Sequence, residues 1–422
     1  MPGHPVSWCP EAGALPGFCP GLMDGFLPEV KMSNQKSRQT RLLHSTYRLP
    51  PEFSALPVPI YRASTVLFKS AKAMRARDWL SKEAYTYGLH GTPTTFKLES
   101  QLAEIENAKH CILAPSGLAA IALVNFAFLR SGDGVLIPEN IYGPNREMGD
   151  WLQEDFGITS RFYSPTIGAG IARLIEPNTR LIWTEAPGSV TMEVPDIPAI
   201  TKAAREKGVT VVLDNTWSAG LTFDGFAHGA NVVLQALTKY QAGSSDLLMG
   251  AVLTQSDEMY SRLSLAHKRL GFGVGADDVY FILRNLPSLR LRFEKHGQSA
   301  FEVATWLKGR PEISHILHPE FEDCPGHEIF RRDFTGSGGL FSILFDTKYS
   351  EEQVDRFVEA LELFGIGFSW GGSHSLCMPF RVSGARDDWK YANHQLVRLF
   401  IGLEEAGDLI ADLEQALSAL DL

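Results

Sequence analysis

Cysteine is scarce in this chain. Its five thiols, Cys9, Cys19, Cys111, Cys324 and Cys377, are odd in number and show no Cys-x-x-Cys spacing. That excludes a disulfide framework and a zinc ribbon, and it points to reduced thiols in a cytoplasmic protein. Positive charge is also short. Against 49 Asp and Glu stand 39 Lys and Arg, and the pI near 5.7 removes the basic stripe that nucleic-acid binding requires. One stretch, His110 to Leu129, runs without Asp, Glu, Lys or Arg and is long enough to suggest a membrane span. It contains Pro115-Ser116-Gly117 and Asn125 and many small residues, so it reads as a strand, a tight turn and a buried helix. No membrane span is expected. No G-x-G-x-x-G links a strand to a helix, which removes a dinucleotide site of the Rossmann kind. Met1 to Arg41 lacks the basic start, apolar core and cleavage site of a secretory signal. It reads as a disordered tail or as a misplaced start, with Met32-Ser33-Asn34-Gln35 the expected true beginning.

What is present is a soluble globular composition spread over 422 residues, too many for one ordinary core. The expected organisation is an extension at 1–41, an arm at 42–95, a large domain at 96–285 and a small domain at 286–422. Short apolar segments alternate with helical ones: Gly134–Pro138, Arg180–Glu185, the helix Ile197–Lys207, then Val209–Asp214 and Val232–Leu234. That rhythm predicts a mostly parallel sheet covered on both faces, an α/β fold, with ligands collecting at the carboxyl ends of the strands. After Gly250 the rhythm changes. A long helical connection over 277–307 breaks at Pro287, and Gly339–Phe345 and Leu396–Ile401 read as strands of a smaller α+β unit. Glu351–Leu363 and Gly407–Leu420 carry helical periodicity.

The chemistry gathers at strand ends. Asp214 closes one strand, and Lys239 follows the next through Gln235-Ala236-Leu237-Thr238. A lysine able to form a Schiff base and an acid at a ring nitrogen are the two parts that pyridoxal phosphate (PLP) demands. Taken singly, Lys239 reads as a solvated loop lysine and Asp214 as a helix cap; the surrounding residues decide. Ser116 can cap a helix whose first free amides, at Gly117 and Leu118, suit a phosphate. Tyr142, on the turn Asn140-Ile141-Tyr142-Gly143-Pro144, can lie flat against a ring. Arg398 is a cation inside an apolar strand, which calls for an anion, whether a substrate or a structural partner.

These pieces resemble the Cys/Met-metabolism PLP enzymes of fold type I, from about Thr40 to the end of the chain. The resemblance rests on Glu185-Ala186-Pro187-Gly188-Ser189-Val190-Thr191-Met192-Glu193-Val194, Asp214-Asn215-Thr216-Trp217, Thr238-Lys239-Tyr240, Ser369-Trp370-Gly371-Gly372 and Arg398-Leu399-Phe400-Ile401-Gly402. It also takes in Gly326-His327-Glu328 with Arg332-Asp333-Phe334-Thr335-Gly336-Ser337. Within that family the 187–194 string and Ser-Trp-Gly-Gly are most similar to bacterial cystathionine β-lyases. The resemblance implies a PLP-transferase large domain, a small C-terminal domain and an N-terminal arm. It implies β-elimination of L-cystathionine to homocysteine, pyruvate and ammonia.

The resemblance also implies roles. Lys239 would carry PLP and take the Cα proton, Asp214 would pair with the pyridine nitrogen, and Tyr142 would stack on the ring. Gly117, Leu118 and Thr238 would hold the phosphate, with Tyr87 reaching in from a neighbouring subunit of a homotetramer. Arg398 would clamp the substrate carboxylate, and Ser369 and Trp370 would line the distal pocket. The sequence departs from the family pattern at several positions. Leu89 stands where an arginine is common and Ala236 where a serine is common, so two phosphate contacts are missing, and His90 is the expected compensation. Phe368 replaces a tyrosine, and Gly243-Ser244 replaces Gly-His. The alternatives are another enzyme on the same scaffold, acting at Cγ or on cysteine conjugates, and a catalytically idle PLP-binding protein.

Overall fold

The computed structural model describes Thr40 and residues 57–82, 84–381 and 389–421. The expectations for residues 1–39 and 41, within the extension, and for the first part of the arm, residues 42–56, fall outside the described residues. All described residues belong to one compact unit, Ser37–Leu422.

Seven strands make the first sheet: β1 His110–Ala114, β2 Gly134–Pro138, β3 Thr159–Tyr163, β4 Thr179–Glu185, β5 Thr210–Asp214, β6 Val232–Ala236 and β7 Gly250–Thr254. Their spatial order is β1-β7-β6-β5-β4-β2-β3. Pairs β2–β3, β2–β4, β4–β5 and β5–β6 are parallel, while β7 runs antiparallel to both β6 and β1. The strands other than β3 are apolar and largely buried because helices cover the sheet, whereas the edge strand β3, Thr-Ser-Arg-Phe-Tyr, is only partly buried. The helix Gly143–Phe156 links β2 to β3, and Ile197–Glu206 links β4 to β5. The uncharged stretch from His110 to Leu129 is β1, a turn and the helix Gly117–Phe128, whose cap Ser116 accepts from the Ala119 amide at 3.0 Å. No helix among the described residues is long and apolar enough to cross a membrane.

The second sheet has five strands, β8 Ile313–Leu317, β9 Leu340–Phe345, β10 Gly365–Ile366, β11 Leu376–Phe380 and β12 Leu396–Phe400, in the order β10-β11-β12-β9-β8. The helices Ala276–Asn285 and Leu289–Lys308, separated by a 3₁₀ turn at Leu286–Ser288, lead into it, so the break falls at Pro287 as expected. Phe341, Phe345 and Phe357 are fully buried between this sheet and its helices, with Val303, Leu307 and Leu409 against them.

Two helices are shorter than their periodicity suggests. Glu351–Glu359 stops before Leu363 because the Asp412 carboxylate accepts from the amides of Glu362 (2.9 Å) and Leu363 (2.8 Å). Ala406–Leu417 ends in a 3₁₀ turn, Ser418–Asp421. Strand β7 and the helix Asp257–Leu270 carry no distinct signal in the alternating pattern, and the structure adds both.

The 187–194 string joins the two sheets. Ser342 in β9 donates to the Val190 carbonyl at 2.6 Å, and the Val194 amide donates to the Pro325 carbonyl at 3.0 Å. Gly188 lies against the Asn140 side chain, where a Cβ would collide.

Candidate active site

Lys239 occupies the connection from β6 to β7. Its amide donates to the Ala236 carbonyl at 3.1 Å and the Thr238 amide donates to the Met249 carbonyl at 3.2 Å, so a tight turn holds the lysine just beyond the strand. Its Nζ donates to Ser369 Oγ at 3.0 Å and lies 5.6 Å from the centre of the Trp370 ring. Ser369 has φ 78°, in the left-handed region that side-chain-bearing residues seldom adopt. The following Gly371, φ 88°, allows the chain to pass Tyr240, since a Cβ there would come within 2.6 Å of the Tyr240 amide nitrogen. Burial brings the Lys239 ammonium down to about 8, the Arg398 charge helps, and Asp214 opposes it. The neutral amine is therefore far more populated near physiological pH than in an ordinary lysine, although the ammonium still predominates.

Asp214 ends β5, where it is buried, and its Oδ1 accepts from the Thr216 amide (3.0 Å) and hydroxyl (2.5 Å). Burial raises its carboxyl, while the bonds from Thr216 and the Lys239 charge pull it down. Thr216 also takes the Ala236 amide on its Oγ1 at 2.9 Å, which couples the Asp214 loop to the strand bearing Lys239. Tyr142 precedes the helix Gly143–Phe156 and is 41% exposed. The Thr238 hydroxyl donates to the Met249 carbonyl at 3.3 Å and accepts from the Met249 amide at 3.1 Å.

Arg398 stands mid-strand in β12, between Ser342 on β9 and Met378 on β11. It is 8% exposed, donates from Nη1 to the Ser189 carbonyl at 3.0 Å, and lies 4.8 Å from the Phe380 ring centre. Among the described residues no carboxylate lies within ion-pair distance of it. Burial lowers its guanidinium to about 10, with Glu185 and Tyr142 opposing. A buried cation with one carbonyl partner has capacity left for an incoming anion.

Gly117, Leu118, Tyr142, Asp214, Thr238, Lys239, Ser369, Trp370 and Arg398 all line one cavity of about 690 Å³. Tyr87 does not. It is 54% exposed and, with Leu89 and His90, lines a separate cavity of about 390 Å³. His90 packs its ring edge on Phe96, and both of its ring nitrogens are buried without a hydrogen-bond partner. In its own chain, then, His90 does not stand beside Lys239.

The donors in the larger cavity fit a phosphorylated pyridine aldehyde. An amine with a depressed pKa suits the aldehyde carbon, and a buried carboxylate suits a ring nitrogen. The unpaired first amides of the helix Gly117–Phe128 suit the phosphate. Gly117 is required there, because a Cβ would meet the Ala236 side chain at 2.9 Å. The profile of the family described as Cys/Met metabolism PLP-dependent enzyme matches residues 39–418. The chain belongs to this family. Its cofactor is pyridoxal phosphate.

Among relatives, the cystathionine β-lyase of Bordetella avium is 39% identical over 375 residues, covering 87% of this chain and 93% of that protein. The L-alanine/L-glutamate racemase of Wolbachia pipientis is 37% identical over 376 residues, covering 86% and 92%. The crystal structure of metB from Corynebacterium glutamicum aligns with a TM-score of 0.84 at 29% identity, covering 92% of this chain and 99% of that one.

Glu185 and Thr216 are the site residues to which sequence reasoning gave no role. Both have a local signal: Glu185 is an acid closing an apolar strand, as Asp214 is, and Thr216 stands two residues after Asp214, the spacing of an Asx turn.

Proposed function

We propose that this chain is a PLP-dependent carbon–sulfur β-lyase that cleaves L-cystathionine to homocysteine, pyruvate and ammonia. The observation that carries the reading is the pairing, across one cavity, of the Lys239 amine with the Arg398 guanidinium from the other sheet. An α-amino acid held by its carboxylate on Arg398 presents its Cα to Lys239 Nζ. The neutral amine takes the Cα proton and holds it where the departing sulfur can receive it. Ser369 Oγ, 3.0 Å from Nζ, keeps the amine aimed across this gap. Pyridoxal phosphate, when bound, supplies the sink for the electron pair left at Cα. Asp214 would keep a proton on the pyridine nitrogen, Tyr142 would stack on the ring, and the amides of Gly117 and Leu118 with the Thr238 hydroxyl would hold the phosphate. Trp370, Phe368, Leu248 and Glu147 line the remaining length of the cavity, where the distal half of cystathionine would lie.

Tyr87 is exposed and lines a different cavity from the Lys239 of its own chain, which supports an active site shared between subunits of a homotetramer. Mixed oligomers of Lys239→Ala and Tyr87→Ala chains should then recover activity that neither variant has alone. The buried free thiols Cys111, Cys324 and Cys377 support a cytoplasmic setting.

A second reading, amino-acid racemisation, draws on the 37% identity to the Wolbachia racemase. Both reactions begin with the same proton loss at Cα. A racemase returns the proton to the opposite face, whereas a lyase expels a group from Cβ. The deciding experiment incubates the holoenzyme with L-cystathionine and, separately, with L-alanine, with Lys239→Ala as control. Pyruvate and homocysteine support β-elimination. 2-Oxobutyrate with cysteine moves the reaction to Cγ, and D-alanine alone moves it to racemisation.

A further inference from the structure

Glu185 ends β4 directly beside Asp214 in the parallel register, and it is 5% exposed. Its two oxygens serve two different segments. Oε2 accepts from the Tyr142 amide at 2.7 Å, and Oε1 accepts from the Ser189 amide at 2.8 Å. The carbonyl of the same Ser189 accepts from Arg398 Nη1 at 3.0 Å. One carboxylate thus anchors the turn that carries Tyr142 and the turn that holds Arg398.

We propose that Glu185 is a positioning residue, which sets Arg398 for the substrate carboxylate through Ser189 and sets Tyr142 through its backbone. The proposal rests on the reading above in which Arg398 binds that carboxylate. Few side chains could replace it. Two N–H groups from separate segments need two acceptor oxygens at glutamate's reach. Glutamine offers one acceptor and turns a donor toward the other N–H, and aspartate is one methylene short. Placing a second buried acid next to Asp214 is unfavourable: burial and the Asp214 charge both raise the Glu185 carboxyl. The bonds from the Tyr142 and Ser189 amides and from the Ser189 hydroxyl pull the other way, but the carboxyl stays well above its ordinary value.

The test is the Glu185→Gln holoenzyme. Glycine, which carries the carboxylate but no leaving group, is titrated against the visible band of the bound cofactor. We expect its apparent Kd, and the KM for cystathionine, to rise about tenfold, the effect of losing one hydrogen bond, with kcat changed less than about threefold. In an Arg398→Ala background the same substitution should weaken glycine binding less than about twofold, because its route is already cut. Glycine affinity within about twofold of wild type, or a full loss repeated in the Arg398→Ala background, overturns the proposal. If Glu185→Gln does not fold, Glu185→Asp carries the test: it keeps the carboxyl but reaches only one amide, and wild-type glycine binding there is equally fatal. The titration reads binding alone. Failure of cystathionine as a substrate therefore leaves this result interpretable, and unchanged glycine binding leaves the lyase reading standing.

Discussion

Two half-buried lysines, one in each cavity, are pushed in opposite directions. Lys82 Nζ lies 2.7 Å from the Glu99 carboxylate and also donates to the Cys111 carbonyl at 2.6 Å. Burial pulls its ammonium down, but Glu99, with smaller help from Tyr260 and Cys111, lifts it above the ordinary lysine value. Burial also raises the Glu99 carboxyl against the pull of Lys82. The short contact and the second acceptor on Lys82 favour the charged pair. Among the described residues no carboxylate contacts Lys239. Its Nζ bond goes to a neutral serine hydroxyl, Asp214 acts only across space, and the like charge of Arg398 shares the cavity, so burial wins. Both lysines are removed from water, but only one is left without a counter-ion, and that one is the reactive amine.

The comparison is broken most severely by exchanging the lysines' fates. Lys239→Ala should lower turnover by about 10³-fold or more and abolish the visible band of the bound cofactor. Lys82→Ala should keep the band, and its loss there would erase the contrast. Next in size is stability. Lys82→Met strands a buried carboxylate and should cost about 3–5 kcal/mol in urea unfolding of the apoprotein. Lys239→Met should cost nothing at pH 7, since it removes an ammonium whose burial is unfavourable. A Lys82→Met loss below about 1 kcal/mol would mean that the pair with Glu99 is not a charged one.

Arg398→Lys keeps the charge but loses the planar fork and should lower kcat/KM about 10²-fold, most of it in KM. The finest test is titration. Capture of added pyridoxal phosphate by the apoprotein should accelerate with pH and level off above about 8, because the neutral amine is the nucleophile. Asp214→Asn removes a charge that holds the ammonium up, so that midpoint should fall. The same depression has a stability sign. Between about 8 and the ordinary value of 10.5 the unfolded chain binds the extra proton, so Lys239's contribution makes the apoprotein more stable as pH rises through that window.

Much of the larger sheet was legible residue by residue. β2, β4, β5 and β6 are short apolar runs, and Asp214 and Lys239 stand where such runs end, so a parallel sheet places them at its carboxyl edge. β7 was not legible, because Gly250–Thr254 returns against β6 only once the Lys239 turn is built. Nor was the early end of the helix at Glu359, because the residue that ends it, Asp412, lies about fifty positions away and looks like one polar residue in an amphipathic helix. Glu185 was visible as a strand-end acid, but its two bonds reach Tyr142 and Ser189, so its task required the fold.

The sequence by itself determined which residue types were available and the local elements that carry them. Periods of 2 and 3.6, caps and strand ends depend on neighbours a few positions apart. Only the tertiary structure decided which of those residues meet. Lys239 and Ser369 are separated by 130 positions, and Arg398 and Ser189 by 209. It also decided their charge states, because desolvation depends on everything that surrounds a group in space. A lysine in a string of letters is an ordinary cation; it becomes a nucleophile near pH 8 only in a buried cavity where, among the described residues, no carboxylate touches it.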